Sequence, residues 1–333
     1  PGAGKRDTFL LCWQSGKTAR IAMSNKNISI GVDIGARHVG CIALDLERGE
    51  MIPGSDSRLS LDSFADADTI LRTWGSALQS TLSRIDAEQL AGIGFAMPGP
   101  FDYRNGISRM EHKYPRLLDR DIAGEIRQLF KFEEETRVRF LNDATAFAVG
   151  EAWLGKGSCC RKVLAITLGT GLGSAFIDDG VPVISGDEVP EEGCLWHLPF
   201  QYGNADQFFT TRWFVKAHSN RLGGKVSGAR EVAELADSGD PAALAIFEKF
   251  GANLAGFLAP WLRKFQTDVL VIGGRITRAY RYFGPVLEEG LKEGGVETTI
   301  KIADKKERAA MIGAARLCDD AFWEKVSARL PAI

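Results

Sequence analysis

The stretch AITLGTGLGSAFIDDG, residues 165–180, sets three glycines, Gly169, Gly171 and Gly173, between two apolar runs that both read as strands. Glycine in such a pattern costs backbone entropy and packs nothing, so it signals a sharp turn or a close approach to the main chain. The same punctuation occurs twice more. Gly35 follows the alternating Ile28, Ile30, Val32 and Asp33, and Gly273 and Gly274 follow the run VLVI. In open α/β sheets ligands bind beyond the carboxyl ends of strands, where glycine lets backbone N–H groups face phosphate oxygens with no Cβ in the way. Three such turns suffice to surround one polyphosphate. A dinucleotide fold would show one G-x-G-x-x-G opening a helix, whereas GTGLG lies between strands and reads as a hairpin clamp.

Strands and helices alternate around these turns. NISIGVDIGARHVGCIALDLERGEMI holds two strands, AGIGFAMPGP (91–100) and VRFLND (138–143) one each, and helical spacing covers 64–85, 119–131 and 144–153. Residues 185–204 are irregular, helices are expected at 205–219 and 229–237, and Asp240 caps a long helix with Pro241 in its first position, running toward Phe265. DVLVIGGRITRAYRYF reads as strand, double glycine and helix, and TTIKIADKKERAAMIGAARLCDDAF as a closing strand and helix. The chain is an α/β protein.

Its 333 residues are long enough for two lobes, each with a core. Lys and Arg number 41 against 43 acidic residues, giving a formal charge of −2 with no basic stripe, so small molecules are expected as partners and nucleic acid is not. The six cysteines are scattered, which suits reduced thiols in a cytoplasmic protein. No run approaches the roughly 20 apolar residues that span a bilayer, so no membrane partner is expected. Residues 1–26 show no period and read as a leader, with Met23 a plausible start.

Five segments resemble, in order, the motifs of the ROK sugar kinases: GVDIGARHVG a first phosphate motif, GFAMPGPFDYRNG the glycine-proline loop, FLNDATAFAVGE the catalytic Asn-Asp segment, LAITLGTGLGSAFIDDG a second phosphate motif and VLVIGGRI the adenosine motif. The resemblance covers about residues 28–320. It implies a two-lobed actin-like ATPase (ribonuclease H-like) fold with a cleft between the lobes. The lobe boundaries expected from it are 27–142 plus 306–333 for the first and 143–305 for the second. It implies ATP-dependent phosphorylation of a hexose or hexose derivative, with ATP and Mg²⁺ as cofactors, a small-molecule sugar as partner and a homodimer as assembly. Asp143 resembles the catalytic base and Asp33 the residue that holds Mg²⁺ through water. Gly35, Gly169, Thr170 and Gly171 would serve the phosphates and Gly273 and Gly274 the adenosine, while Gly99, Asn142, Asp143, Glu151 and His197 would line the sugar.

Each residue also has a plainer reading. Asp143 suits the cap of helix 144–153, Asp33 a turn acid, Gly273 and Gly274 a helix entry, and Glu151 a solvated helix face. His38 and His218 read as surface or packed histidines. The segment EEGCLWHLPFQYGNADQFFTTRWF (191–214) departs from the family, whose pattern there is Gly-Glu-x-Gly-His followed by a cysteine cluster for structural zinc. Gly193 and His197 match, but Cys194 stands at the glutamate and Trp196 at the second glycine. One cysteine and one histidine do not make a tetrahedral site, so no zinc is expected. Trp196 would present an apolar face to the sugar ring, unless residues 194–196 are a buried strand that only packs. The altered segment also suits a second class of function, a non-catalytic sugar-binding regulator that keeps the kinase fold. Glucose, mannose, allose, fructose and N-acetylated hexoses all remain open as acceptors.

Overall fold

The computed structural model describes residues 26–222, 226–304 and 308–330, so the expected leader, apart from Lys26, lies outside the described residues. Two mixed sheets organise these residues, and both follow one plan. The first contains β1 (Ile28–Gly35), β2 (His38–Asp45), β3 (Glu50–Met51), β4 (Ser57–Ser60), β5 (Leu90–Met97) and, beyond the short hairpin β6 (Phe101–Asp102) and β7 (Ile107–Ser108), β8 (Arg137–Asn142). Its order is β3-β2-β1-β5-β8, with β4 also on β2. β1 and β2 pair antiparallel, and β1, β5 and β8 run parallel. Asp33, Met97 and Asn142 therefore emerge at the same edge of the sheet. The second sheet takes β9 (Lys162–Leu168), β10 (Leu172–Asp178), β11 (Val181–Val183), β14 (Val269–Gly273) and β15 (Thr299–Ile302) in the order β11-β10-β9-β14-β15. β9, β14 and β15 are parallel, so Leu168 and Gly273 also end together. β1 and β14 are buried nearly throughout, as strands covered on both faces must be.

Helices α1 (Ala67–Leu82) and α2 (Ile122–Phe130) pack in the core of the first sheet. α1 starts where Asp66 accepts the N–H of Thr69 at 2.9 Å. The second core holds α4 (Ala205–Phe208), α5 (Thr211–Leu222), α6 (Ala229–Asp237), α7 (Pro241–Phe265) and α8 (Tyr280–Glu293). Asp240 caps α7, its carboxylate accepting the N–H groups of Ala242 and Ala243 at 2.8 and 3.0 Å. α7 is long and apolar enough to cross a membrane by composition, but Phe247, Phe250, Leu254, Leu258 and Leu262 are buried in the second core.

Two helices exchange sheets. α3 (Asp143–Leu154) follows the last strand of the first sheet but packs on β9 and β10 of the second, and α9 (Arg308–Arg316) follows the last strand of the second but packs on β1 and β5 of the first. They meet each other with no side chains between their backbones. A Cβ on Gly313 would stand 1.8 Å from the carbonyl oxygen of Ala146, and one on Gly150 would stand 1.9 Å from that of Ala309. Gly31 and Gly94 admit α9 to the first sheet in the same way, each 1.8 Å from a carbonyl, of Met311 and Ala314 respectively.

The segment expected as one helix over 205–219 is two, because the N–H of Thr211 turns to the carbonyl of Gly169 at 2.8 Å instead of continuing the helix. The stretch expected to be irregular contains a hairpin of β12 (Pro199–Phe200) and β13 (Gly203–Asn204). The closing helix is also two, α9 and α10 (Asp320–Ser327), since Asp319 accepts the N–H of Ala321 at 3.0 Å and starts a new cap.

Gly313→Ala forces a methyl group into the Ala146 carbonyl. It should cost about 2 to 3 kcal/mol, as overpacking of a tight core does, and thermal unfolding followed by circular dichroism should show a clear drop in Tm.

Candidate active site

β8 delivers Asn142 and Asp143 to the start of α3. Asn142 is the cap, its Oδ1 accepting the N–H groups of Ala144 and Thr145 at 3.0 and 3.2 Å. The plainer reading of Asp143 as the cap is thereby corrected: it occupies the first helical position. One of its oxygens accepts the Ala144 N–H at 2.8 Å. Burial pushes the Asp143 carboxyl above the ordinary carboxylate range, Asp33 adds to this and Lys113 opposes it. Sequence reasoning passed over Tyr103, which is nearly buried: the Asn142 amide donates to its hydroxyl at 3.2 Å, and that hydroxyl lies 3.2 Å from the Met97 carbonyl. Its position in GFAMPGPFDYRNG was the available signal. Gly99 lies beside Tyr103, 3.2 Å from the hydroxyl for a Cβ built there.

The turn between β9 and β10 sorts its glycines by what surrounds them. A Cβ on Gly169 meets nothing within 4 Å, and one on Gly171 meets only an oxygen of Asp206 at 3.3 Å. Gly173, by contrast, is filled by the protein, since a Cβ there would stand 2.7 Å from that of Ala144 in the first turn of α3. The space beside Gly169 and Gly171 is thus open, and Asp143 sits one residue from the helix contact with this hairpin. The Gly169 N–H bonds the Gly171 carbonyl at 3.2 Å, which corrects its expected role as a phosphate donor. The Leu172 N–H goes to Asp206 at 2.8 Å, so the N–H groups of Thr170 and Gly171 remain for a ligand. Gly274, at φ 90°, presses on Leu168 at the same end of the sheet, and Gly273 leaves room for the ring of Phe147. Both glycines have a packing reason of their own.

Asp33 lies two residues before the end of β1 with a side chain 13% exposed, and His38 Nε2 lies 3.5 Å from it. The antiparallel register pairs Gly35 with His38, and a Cβ on Gly35 would meet the His38 ring at 2.4 Å. His38 therefore belongs beside the first turn, a placement that the tightness of the hairpin would have revealed. The Tyr114 hydroxyl donates to the Gly35 carbonyl and holds that turn. Glu151 is not brought to Asp143. It lies two turns along α3, about 12 Å at 1.5 Å per residue, fully buried, where its carboxylate accepts the Lys156 N–H at 2.8 Å. The solvated reading fails as well.

The segment 194–197 is pinned by Ser174, which accepts the Leu195 N–H at 2.8 Å. Leu195 is buried and Trp196 is 47% exposed, so these residues are not a uniformly buried strand. Cys194 Sγ lies 3.6 Å from His197 Nδ1, and burial with Glu192 nearby pushes the thiol up to about 11. Cys194 and Glu192 lie close enough to Tyr103 to act on its hydroxyl, as does Asp143. Among the described residues no group of three or more His, Cys, Asp or Glu side chains could hold a metal. His218 is buried, as one of its two expected placements has it.

The fold is the two-lobed fold of the actin-like ATPases. A ROK hexokinase from Thermus thermophilus superposes with a TM-score of 0.74 at 20% identity, over 89% of this chain and 99% of that one. A ROK family glucokinase from Streptomyces griseus, in complex with glucose and AMPPNP, gives 0.68 at 20% identity, over 88% and 99%. A glucokinase of Thermotoga maritima is 28% identical over 284 residues, 78% of this chain and 86% of that protein. The ROK family model matches residues 29–321, and the chain belongs to the ROK family.

Two outcomes test this geometry. Gly169→Val projects into open space, so nucleotide affinity measured by titration calorimetry should fall at least about tenfold, the scale of losing one good contact, with Tm nearly unchanged. A group whose pKa is raised by folding costs stability once pH climbs above its ordinary value, because the unfolded state then ionises first. Asp143→Asn should therefore be at least as stable as wild type at neutral pH. Its advantage should vanish as pH falls to the ordinary aspartate range in denaturation curves.

Proposed function

We propose that this chain transfers the terminal phosphoryl group of ATP to a hydroxyl of a hexose or hexose derivative, with Asp143 as the general base. The observation that carries this reading is a carboxylate with raised proton affinity, relieved of capping by Asn142, beside an open glycine turn. In the reaction the sugar oxygen forms a bond to the terminal phosphorus while the bond to the bridging oxygen of ADP breaks. The hydroxyl proton passes to Asp143, whose proton affinity is raised above that of an ordinary aspartate. The N–H groups of Thr170 and Gly171 meet the developing charge on the phosphate oxygens.

Asn142, Gly99 and His197 orient the sugar, with Trp196 offering an apolar face to its ring. Asp33 would hold Mg²⁺ through water: a single carboxylate near the end of β1 suits an ion that keeps several waters and takes its other ligands from the substrate. When bound, that ion neutralises the phosphate oxygens. Residues 27–142 with 306–333 form one lobe and 143–305 the other, and their closure excludes water as a competing acceptor. The chain works as a cytoplasmic homodimer on this reading, without nucleic acid or membrane.

An ADP-release assay over glucose, mannose, allose, fructose and N-acetylated hexoses tests the activity and names the acceptor. Asp143→Asn should lower kcat by about a hundredfold or more with nucleotide Kd unchanged. Turnover near wild type would remove Asp143 as the base. A wild-type protein that binds sugars but phosphorylates none of them is the regulator instead.

A further inference from the structure

The corner between α4 and α5 grips the phosphate turn at every point that does not face the ligand. Asp206 Oδ1 accepts the Leu172 N–H at 2.8 Å and stands 3.3 Å from where a Cβ of Gly171 would be. Thr211 bonds the Gly169 carbonyl twice, by its N–H at 2.8 Å and by its hydroxyl at 3.0 Å. On the opposite side the Asp206 N–H donates to the carbonyl of Trp196 at 3.0 Å. Asp206 therefore bridges the glycine turn and the 194–197 segment.

A carboxylate at that place is a liability. Its charge repels a polyphosphate lodged against Gly171 unless a cation stands with it. Arg212 supplies the cation: its guanidinium meets the second oxygen of Asp206, and its side chain is 70% exposed against 21% for Asp206. Guanidinium has five N–H donors in a planar fork, so one edge can rest on a carboxylate while the other receives phosphate oxygens. Arg212 follows directly on Thr211, so its backbone is fixed relative to Gly169 while its head remains in solvent.

We propose that Arg212, seated on Asp206, contacts the terminal phosphate of the bound nucleoside triphosphate and stabilises the charge that develops during transfer. This rests on the kinase reading above and adds a residue to it. The Asp206–Arg212 pair links the glycine turn to the 194–197 segment, which the kinase reading gives to the sugar, so on that reading its contact is with the phosphate being transferred, and ADP lacks that group. Asp206 itself is a positioning residue, acting through Leu172 and Arg212.

The test is calorimetric titration of the full chain with Mg²⁺ and AMPPNP or ADP, without sugar. Arg212→Ala should weaken AMPPNP binding about tenfold or more, the range of one charge-assisted contact, and leave ADP within twofold. Arg212→Lys should recover part of the loss, and kcat of Arg212→Ala on the acceptor found in the sugar panel should fall about a hundredfold or more. Asp206→Asn, which keeps an acceptor for Leu172 but frees the guanidinium, should lower kcat while leaving ADP binding in place. Equal losses for AMPPNP and ADP, or unchanged AMPPNP affinity, would overturn the proposal. A wild-type protein that prefers AMPPNP through Arg212 yet phosphorylates no sugar defeats the kinase reading and leaves this contact standing.

Discussion

The crossing of α3 and α9 is the contact on which both lobes depend. Each helix completes the sheet that its own strands did not build, and the two can approach only because Gly150 and Gly313 have no side chains. Interiors are packed as densely as organic crystals, so a crossing this close has no slack to absorb a methyl group. Its rigidity has a direct chemical use. Asn142 and Asp143 begin α3, and Ala144 in its first turn lies against Gly173 of the phosphate hairpin. The helix that joins the sheets therefore also sets where Asp143 stands relative to the turn between β9 and β10.

The site built on this crossing separates its tasks among neighbours. Asn142 satisfies the free amides of the helix start and leaves Asp143 with a carboxyl of raised proton affinity. That costs folding energy at neutral pH, and on the proposed reading it supplies the base, an exchange of stability for chemistry. The glycines divide similarly. Gly169 and Gly171 border open space, whereas Gly173, Gly273 and Gly274 accommodate Ala144, Phe147 and Leu168. A motif that looks uniform in sequence thus holds two populations, one bordering open space and one pressed against the protein.

Much of the architecture was legible in the sequence because its signals are local. Strand β1, the Asp240 cap and the helix from Pro241 to Phe265 follow from alternation, capping and period, and each lies where those signals put it. What stayed hidden depends on distant partners. The break at Thr211 exists only because Gly169 offers a carbonyl, forty-two residues away in sequence. Glu151 read as a site residue because it shares a helix with Asp143, and only the helical rise and the turn at Lys156 show that it faces elsewhere. Tyr103 was missed and His38 read as a surface or packed residue for the converse reason: their worth comes from Asn142 and Asp33, distant or cross-hairpin partners. The altered segment at 194–197 matched its family only at Gly193 and His197, and its orientation toward Tyr103 is a tertiary fact.

The exchange of helices also orders events during synthesis. All strands of the first sheet have left the ribosome by Asn142, but the helix that covers β1 and β5 begins only at Arg308. Until then Gly31 and Gly94 line an apolar face with nothing upon it. The nascent first lobe must wait, partly uncovered, for about half of the chain to be translated. At ordinary elongation rates of about 5 to 20 residues per second, that wait lasts on the order of ten seconds or more. Such a face is the kind of surface chaperones hold, so the first lobe to be made is among the last to be finished.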